Sequence, residues 1–198
     1  MAVSNLQKKL GNIDLYLLDQ VLKNRISKSN SILDAGCGSA RNMHYFISNG
    51  YQITGIDSDK DQIEKNRKKY AATNFDLGTL TNLPYKKNTF DYVICNAVLH
   101  FSTSENQLFK MLDELFRVLK TEGTLFIRMT SNFGIEDNVN LIKDGVYKIP
   151  DGSTRFLLTI SILEKLKSRY NITFIEPMKT VNVSNKRCMT NLVLRKNK

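Results

Sequence analysis

Ser31-Ile32-Leu33-Asp34-Ala35-Gly36-Cys37-Gly38-Ser39-Ala40-Arg41 is the stretch on which the fold turns. A short apolar strand, Ser31 to Ala35, runs into a glycine bend, and a helical stretch from Ala40 to Ser48 follows and ends at Asn49-Gly50. Gly36 and Gly38 allow tight turning and close approach of a ligand, because neither has a Cβ. In an open parallel sheet, ligands bind at the carboxyl ends of strands near the topological switch point.

The same unit repeats outward from there. A second strand, Gln52 to Ile56, stops at Asp57, and Ser58-Asp59 supplies an N-cap for a charged helix to about Tyr70. Short and long apolar strands at Asn74 to Leu77 and Phe90 to Cys95 follow, then a helix from Ser104 to Leu119 closed by Thr121-Glu122-Gly123, and a strand from Leu125 to Met129. Ser131 to Thr154 is polar and irregular. A helix at Ser161 to Tyr170 leads to two late strands, Ile172 to Ile175 with an extension towards Val183, and Cys188 to Leu194, joined through Ser184-Asn185-Lys186 as an antiparallel hairpin. Before the first strand, Leu6, Leu10, Ile13, Leu17, Leu18, Val21 and Leu22 recur at helical spacing, with a break at Gly11-Asn12. These patterns predict a Rossmann-like, doubly wound α/β fold: a mostly parallel seven-stranded sheet with an antiparallel C-terminal hairpin. They also predict a single domain over 1–198, with an N-terminal helical cap at 1–30 and a substrate-side insert at 131–157.

A dinucleotide fingerprint, GxGxxG/A, is the nearest rival for the bend, and it fails at its sixth place, where Arg41 stands. Asp34, two residues before the first glycine, would repel a pyrophosphate and suits a ligand with a cationic amine or sulfonium. Here the chain resembles the class I S-adenosylmethionine-dependent methyltransferases, whose first motif is an acid followed by GxG after strand one. Gly55-Ile56-Asp57, Leu83-Pro84-Tyr85, Phe90-Asp91-Tyr92-Val93-Ile94 and Arg117-Val118-Leu119-Lys120-Thr121-Glu122-Gly123 continue the resemblance over residues 30 to 130. Gly36-Cys37-Gly38-Ser39-Ala40-Arg41-Asn42 is also similar to the tellurite-resistance methyltransferases. Ala40 replaces a frequent third glycine, and Gly78-Thr79 stands where relatives carry Gly-Asp, so backbone groups of Thr79 and Leu80 would meet the adenine instead.

The resemblance implies S-adenosyl-L-methionine as cofactor and assigns a candidate site. Asp57 would accept the ribose hydroxyls and Asp34 would face the methionine ammonium through water. Gly36, Cys37, Gly38 and Arg41 would form the loop around the methionine portion, Ser58, Thr79 and Leu80 would flank the adenine, and Asn96 and Ala97 would border the methionine end. No metal is required. Methyl transfer is an in-line displacement with a good leaving group, so alignment and exclusion of water matter more than a catalytic triad. His100, after the fourth strand, is the candidate base if one is used, and Tyr16 the candidate to close over the methyl group; His44 falls within a helix as a structural residue.

Composition bounds the partners. The 198 residues carry 29 Lys plus Arg against 19 Asp plus Glu, a net charge of +10. The excess is spread, +4 over residues 1–100 (13 basic, 9 acidic) and +6 over 101–198 (16 basic, 10 acidic), so nucleic acid is the less favoured partner. Three separated cysteines without a CxxC, lysines in the opening MAVSNLQKKL and no long apolar run predict a cytoplasmic chain, monomer or homodimer, without membrane contact. The reading is methyl transfer to a small-molecule acceptor, anionic if Arg128, Lys148 and Arg155 converge. An RNA or protein methyltransferase and a non-catalytic cofactor-binding module are the alternatives.

Overall fold

The computed structural model describes residues 5–198, and within them strand and helix alternate as the periodicity predicts. The helices are α1 (Asn5–Leu10), α2 (Leu15–Leu22), α3 (Met43–Ser48), α4 (Lys60–Lys69), α5 (Glu105–Val118) and α6 (Ile160–Arg169). The strands are β1 (Ser31–Ala35), β2 (Gln52–Asp57), β3 (Asn74–Leu77), β4 (Phe90–Asn96), β5 (Leu119–Ser131), β6 (Asn140–Lys143), β7 (Val146–Lys148), β8 (Thr154–Phe156), β9 (Ile172–Phe174), β10 (Lys179–Val183) and β11 (Arg187–Lys196). The first four residues of the expected helical cap lie outside the described residues.

The main sheet runs β3-β2-β1-β4-β5-β11-β10, with the first five strands parallel and β11 antiparallel to β5. The chain moves outward from β1 to β3, then returns to β4 on the other side of β1. That reversal opens a crevice beyond the carboxyl ends of β1 and β4, where loops diverge. The alternation of side chains assigns the two faces. Leu33, Val93, Leu125 and Ile127 pack under α5 and α6 through Leu112, Leu115 and Leu166, while Ile32, Tyr92, Ile94 and Phe126 pack under α2, α3 and α4 through Leu17, Phe46 and Ile63.

Four boundaries differ from the sequence expectation. The sixth expected strand, from Ile172 towards Val183, is divided: β9 and β10 both pair with β11, so the sheet has eight strands, and the break contains Pro177, which has no N–H to donate. The helix that crosses from β4 to β5 ends at Val118, and β5 begins at once at Leu119, with Glu122 at φ +62° where the pairing with β4 shifts register. The first crossover helix starts at Met43 rather than Ala40, because Ala40 is held at φ +59°, outside the helical region. The segment expected to be irregular folds into a second, three-stranded antiparallel sheet, β6-β7-β8, whose two-residue hairpin turn is Asp144-Gly145, both at positive φ. Phe156 of β8 is buried in the main core and ties this small sheet to it.

The α5 face anchors the crevice from below. Leu115 is fully buried there, so Leu115→Ala leaves a cavity between helix and sheet and is expected to cost about 2–5 kcal/mol in urea unfolding at unchanged m.

Candidate functional site

A cavity of about 530 Å³ occupies the crevice, within the usual range for small-molecule sites. Of the residues selected from sequence, Gly36, Gly38, Asp57, Ser58, Thr79, Leu80 and Ala97 line it. Gly36 is at φ +82°, and a Cβ there would lie 2.3 Å from Val98 Cγ2, so the β1 bend and the loop after β4 approach as closely as the absence of a side chain allows. The Gly36 and Cys37 N–H groups donate to the Ile56 carbonyl at 2.8 and 3.0 Å, which fixes the bend against β2.

Asp57 ends β2 with both oxygens engaged by backbone: Oδ2 accepts the Gly38 N–H at 2.8 Å and Oδ1 the Asp59 N–H at 2.9 Å. Each oxygen keeps a further lone pair for a ligand hydroxyl. The side chain therefore joins the glycine bend to the start of α4 and sets the cavity floor between them.

Asp34 lies one step deeper, 1% exposed, with Oδ2 lacking any hydrogen-bond partner. Burial pushes its carboxyl up to about 7, the Arg41 charge opposes this, and Asp57 adds to it. Asn96 at the end of β4 is likewise buried, and neither its Oδ1 nor its Nδ2 has a partner. Asp34 pairs in register with Ile94, two residues before Asn96, so both side chains point to one face of adjacent strands. Three polar atoms without a partner among the described residues thus share one face of β1 and β4. A buried orphan of this kind is unfavourable unless a ligand, water or proton completes it.

Other sequence candidates lie apart from the cavity lining. Cys37 turns its thiol into the core beside Gly55, and burial raises the thiol pKa further, which leaves only its backbone for a ligand. Arg41 donates to the Asn12 carbonyl at 3.1 Å and faces a separate cleft with His44 and Tyr70. Tyr16 stacks beneath the Arg128 guanidinium, 5.2 Å from its ring centroid, and Arg128 is ion-paired with Asp14, the N-cap of α2. Arg128, Lys148 and Arg155 do not converge: Arg128 is held by Asp14, and Lys148 donates to the Gly152 carbonyl.

His100 lies in the turn after β4 but lines a neighbouring cavity. Its Nδ1 accepts the Thr130 N–H at 3.3 Å, which assigns the ring proton to Nε2. Burial, together with the charges of Arg155 and Arg187, lowers its pKa to about 4. At neutral pH it is a hydrogen-bond donor, and it does not offer the lone pair that a base needs.

The cavity also includes residues that the sequence motifs did not single out: Val98, Thr81, Gln107 and Met111. Gln107 and Met111 are one turn apart on α5, on the flank of an otherwise buried helix face, and that i, i+4 pairing was the available signal.

Residues 33–127 match a family described as a methyltransferase domain. An uncharacterized methyltransferase, YodH, of Bacillus subtilis is 34% identical over 103 residues, covering 50% of this chain and 42% of that one. A malonyl-[acyl-carrier protein] O-methyltransferase of Salmonella typhimurium is 28% identical over 95 residues, covering 48% and 37%. The chain therefore spans about two fifths of the length of these relatives. Among solved structures, a SAM-dependent methyltransferase of Methanosarcina mazei superimposes with a TM-score of 0.73 at 19% identity, over 89% of this chain and 97% of that one; at that identity the likeness is one of fold.

Asp34 makes stability depend on pH in a defined direction. Its folded pKa lies above the unfolded value, so the folded state binds the extra proton between them, and stability falls as pH rises from about 4 to about 7 and then levels. Thermal melts of the ligand-free protein across that range are expected to show the decline, and Asp34→Asn, which removes the buried charge, should raise Tm at pH 8 and flatten the profile.

Proposed function

We propose that this chain, which belongs to the class I S-adenosylmethionine-dependent methyltransferases, transfers the cofactor's methyl group to a small-molecule acceptor. The observation that carries the proposal is the pair of acids at adjacent strand ends. One, Asp57, lies on the wall of a cavity of nucleoside size; the other, Asp34, is buried with an unpartnered oxygen under the glycine bend. A cation with ribose hydroxyls meets both needs, whereas a diphosphate meets neither.

The residues present fit the cofactor. Asp57 would accept the ribose hydroxyls with the lone pairs left free by Gly38 and Asp59. Thr79 and Leu80 would meet the adenine through backbone, with Ser58 on its flank. Gly36, Gly38 and Ala97 would border the methionine portion, and Asp34 and Asn96 would complete their hydrogen bonding toward its polar end through water. Arg41 would act on this end only through its charge near Asp34.

When bound, the sulfonium supplies an activated methyl group with a thioether as leaving group. The protein contributes position and dryness. Val98, Leu80, Phe101 and Met111 give the cavity an apolar wall that excludes water from the reacting line. His100, neutral with its proton on Nε2, orients or polarises an acceptor and does not deprotonate it. Tyr16 acts indirectly, by holding Arg128 and the α2 cap in place.

Residues 131–157, with the small sheet β6-β7-β8, are assigned to the acceptor side within one domain. A macromolecular acceptor draws on the +10 charge alone: no Lys or Arg is among the described residues lining the crevice cavity. RNA binding too weak to saturate even at low salt is the expected result on this reading.

Two measurements test the cofactor site. Asp57→Ala should weaken S-adenosylmethionine binding in calorimetric titration by at least about tenfold, because a ligand hydroxyl pair loses a charged acceptor; NAD should show no binding to either protein. Binding should also shed protons. Asp34 is mostly protonated below about 7 and must ionise to meet the cofactor's positive charge. Titrations at pH 6 in buffers of different ionisation enthalpy are expected to report release of about one proton per cofactor, with affinity rising towards pH 8 and reaching a plateau. Asp34→Asn should bind more weakly and release none.

A further inference from the structure

A second cavity, of about 450 Å³, adjoins the first and shares Phe101 with it. Its walls are the turn after β4 and the small sheet β6-β7-β8. Ile142, Val146 and Phe156 supply apolar surface; His100, Lys143 and Arg155 supply the polar groups. Phe101 and Ile142 are 59% and 54% exposed, so two large apolar side chains face water around this opening.

The hydroxyls of Ser102 and Thr103 donate to the Leu99 carbonyl and the Gln107 side chain, and the charged groups of the cavity are both cationic. Lys143 makes no hydrogen bond or ion pair among the described residues, and Arg155 makes no ion pair: its Nη1 donates to the Thr154 carbonyl at 2.7 Å and its guanidinium lies 4.9 Å over the Phe101 ring. No Asp or Glu lines the cavity. Asp151, the acid on the neighbouring loop, is engaged by the Ser153 N–H and hydroxyl at 2.8 and 2.6 Å and by Arg187 at 3.6 Å, and it feels the Arg155 charge without an ion-pair contact. With Nδ1 held by Thr130, His100 keeps an Nε2–H that makes no hydrogen bond among the described residues. Two cations without carboxylate partners, a neutral donor and an apolar wall ending at the cofactor cavity form a site with no acceptor groups of its own from acidic side chains.

We infer that this second cavity is the acceptor site and that it takes an organic carboxylate on a flat apolar body, the anion held by Lys143, Arg155 and the His100 Nε2–H and the body lying along Phe101 towards the crevice. The inference rests on the methyl-transfer reading for its purpose, but the binding chemistry can be tested by itself. Arg155 is pre-positioned by its stacking on Phe101, so the guanidinium and the apolar platform are presented together. A neutral analogue leaves both cations without a counter-charge and loses the binding energy that the carboxylate would supply. Lys143 and Arg155 stand on the small sheet rather than on the strands that carry Asp34 and Asp57, so these charges can be changed without disturbing either acid.

The experiment is an NMR titration of ¹⁵N-labelled protein, saturated with S-adenosylhomocysteine, with benzoate and with benzyl alcohol. Benzoate is expected to give saturable shifts at residues 100–103, 142–146 and 154–156, benzyl alcohol none that saturate there. Lys143→Met/Arg155→Met should weaken benzoate binding at least about tenfold while the variant still binds S-adenosylhomocysteine saturably, which shows that it is folded. Lys143→Gln alone should move in the same direction by less. Benzoate shifts elsewhere only, equal shifts from benzyl alcohol, or undiminished binding by the double variant would overturn the assignment. If the wild-type protein fails to bind S-adenosylhomocysteine, the methyl-transfer reading falls; the benzoate arms, run without it, still decide the cavity.

Discussion

Placing a carboxyl group in a dry interior with an oxygen unpaired costs several kcal/mol if it ionises, and proteins ordinarily avoid it by pairing, hydration or retained protonation. This chain does it in the middle one of its five parallel strands. Asp34 lies between β2 and β4 with apolar residues on either side of it along β1, and the nearest cationic side chain, Arg41, is directed to the Asn12 carbonyl. The crevice is arranged around that unmet charge. Gly36 brings backbone across it, Asn96 adds two more unsatisfied polar atoms on the same face, and Asp57 stands one strand away with lone pairs to spare. A fold selected for stability alone would place an apolar residue at position 34, where the core on that face already has Ile32, Ile94 and Phe126.

Backbone conformation around the crevice is also held away from its preferred wells. Ala40 at φ +59° and Ala97 at φ +63° are left-handed without being glycine, at a cost of about 1 kcal/mol or more each. Both follow directly on elements that carry site residues: Ala40 after the glycine bend, Ala97 after Asn96. The Ala97 N–H is tied to the Arg128 carbonyl at 2.7 Å and the Ala40 N–H to the Cys37 carbonyl at 2.9 Å, so the surrounding hydrogen bonds impose the strain. Its effect is to turn both chains sharply at the strand ends, which opens room for a ligand where a straight continuation would fill the crevice.

Much of this was legible in residue pattern. The apolar runs and the acids that end them placed β1, β2 and β4 to within a residue, and Gly36, Asp57, Ser58 and Leu80 meet because strand order follows from crossover rules. What escaped was set by tertiary context. Leu119 has helical neighbours in sequence but takes an extended backbone to pair with Phe90. Tyr16 is expected to close over the methyl group, yet its ring lies against the Arg128 guanidinium. The role of His100 depended on which nitrogen Thr130 would meet, a fact of sheet geometry with no trace in local sequence. The small sheet is a different case. Asp144-Gly145 is a strong hairpin signal, and it was outweighed by the polar composition around it, although Val146 and Phe156 alternate with polar neighbours as a one-sided sheet requires.

The two cavities divide between parts of the chain with different constraints. The crevice is built from strand ends of the parallel sheet, where a shift of one residue in register would move Asp34 and Asp57 to the opposite face, so its chemistry is bound to the fold itself. The neighbouring cavity is built largely by a hairpin that meets the core through Phe156 and the bridge from Leu158 to Ser131. Its cationic residues, Lys143 exposed and Arg155 half-buried, stand on strands of four and three residues, which can change sequence with little effect on the main sheet. Phe101 belongs to both, and among the described residues it is the one that lines the two cavities in common. Affinity for the cofactor and choice of acceptor are therefore separable in this molecule, coupled mainly through the setting of one aromatic ring that Arg155 steadies from the acceptor side.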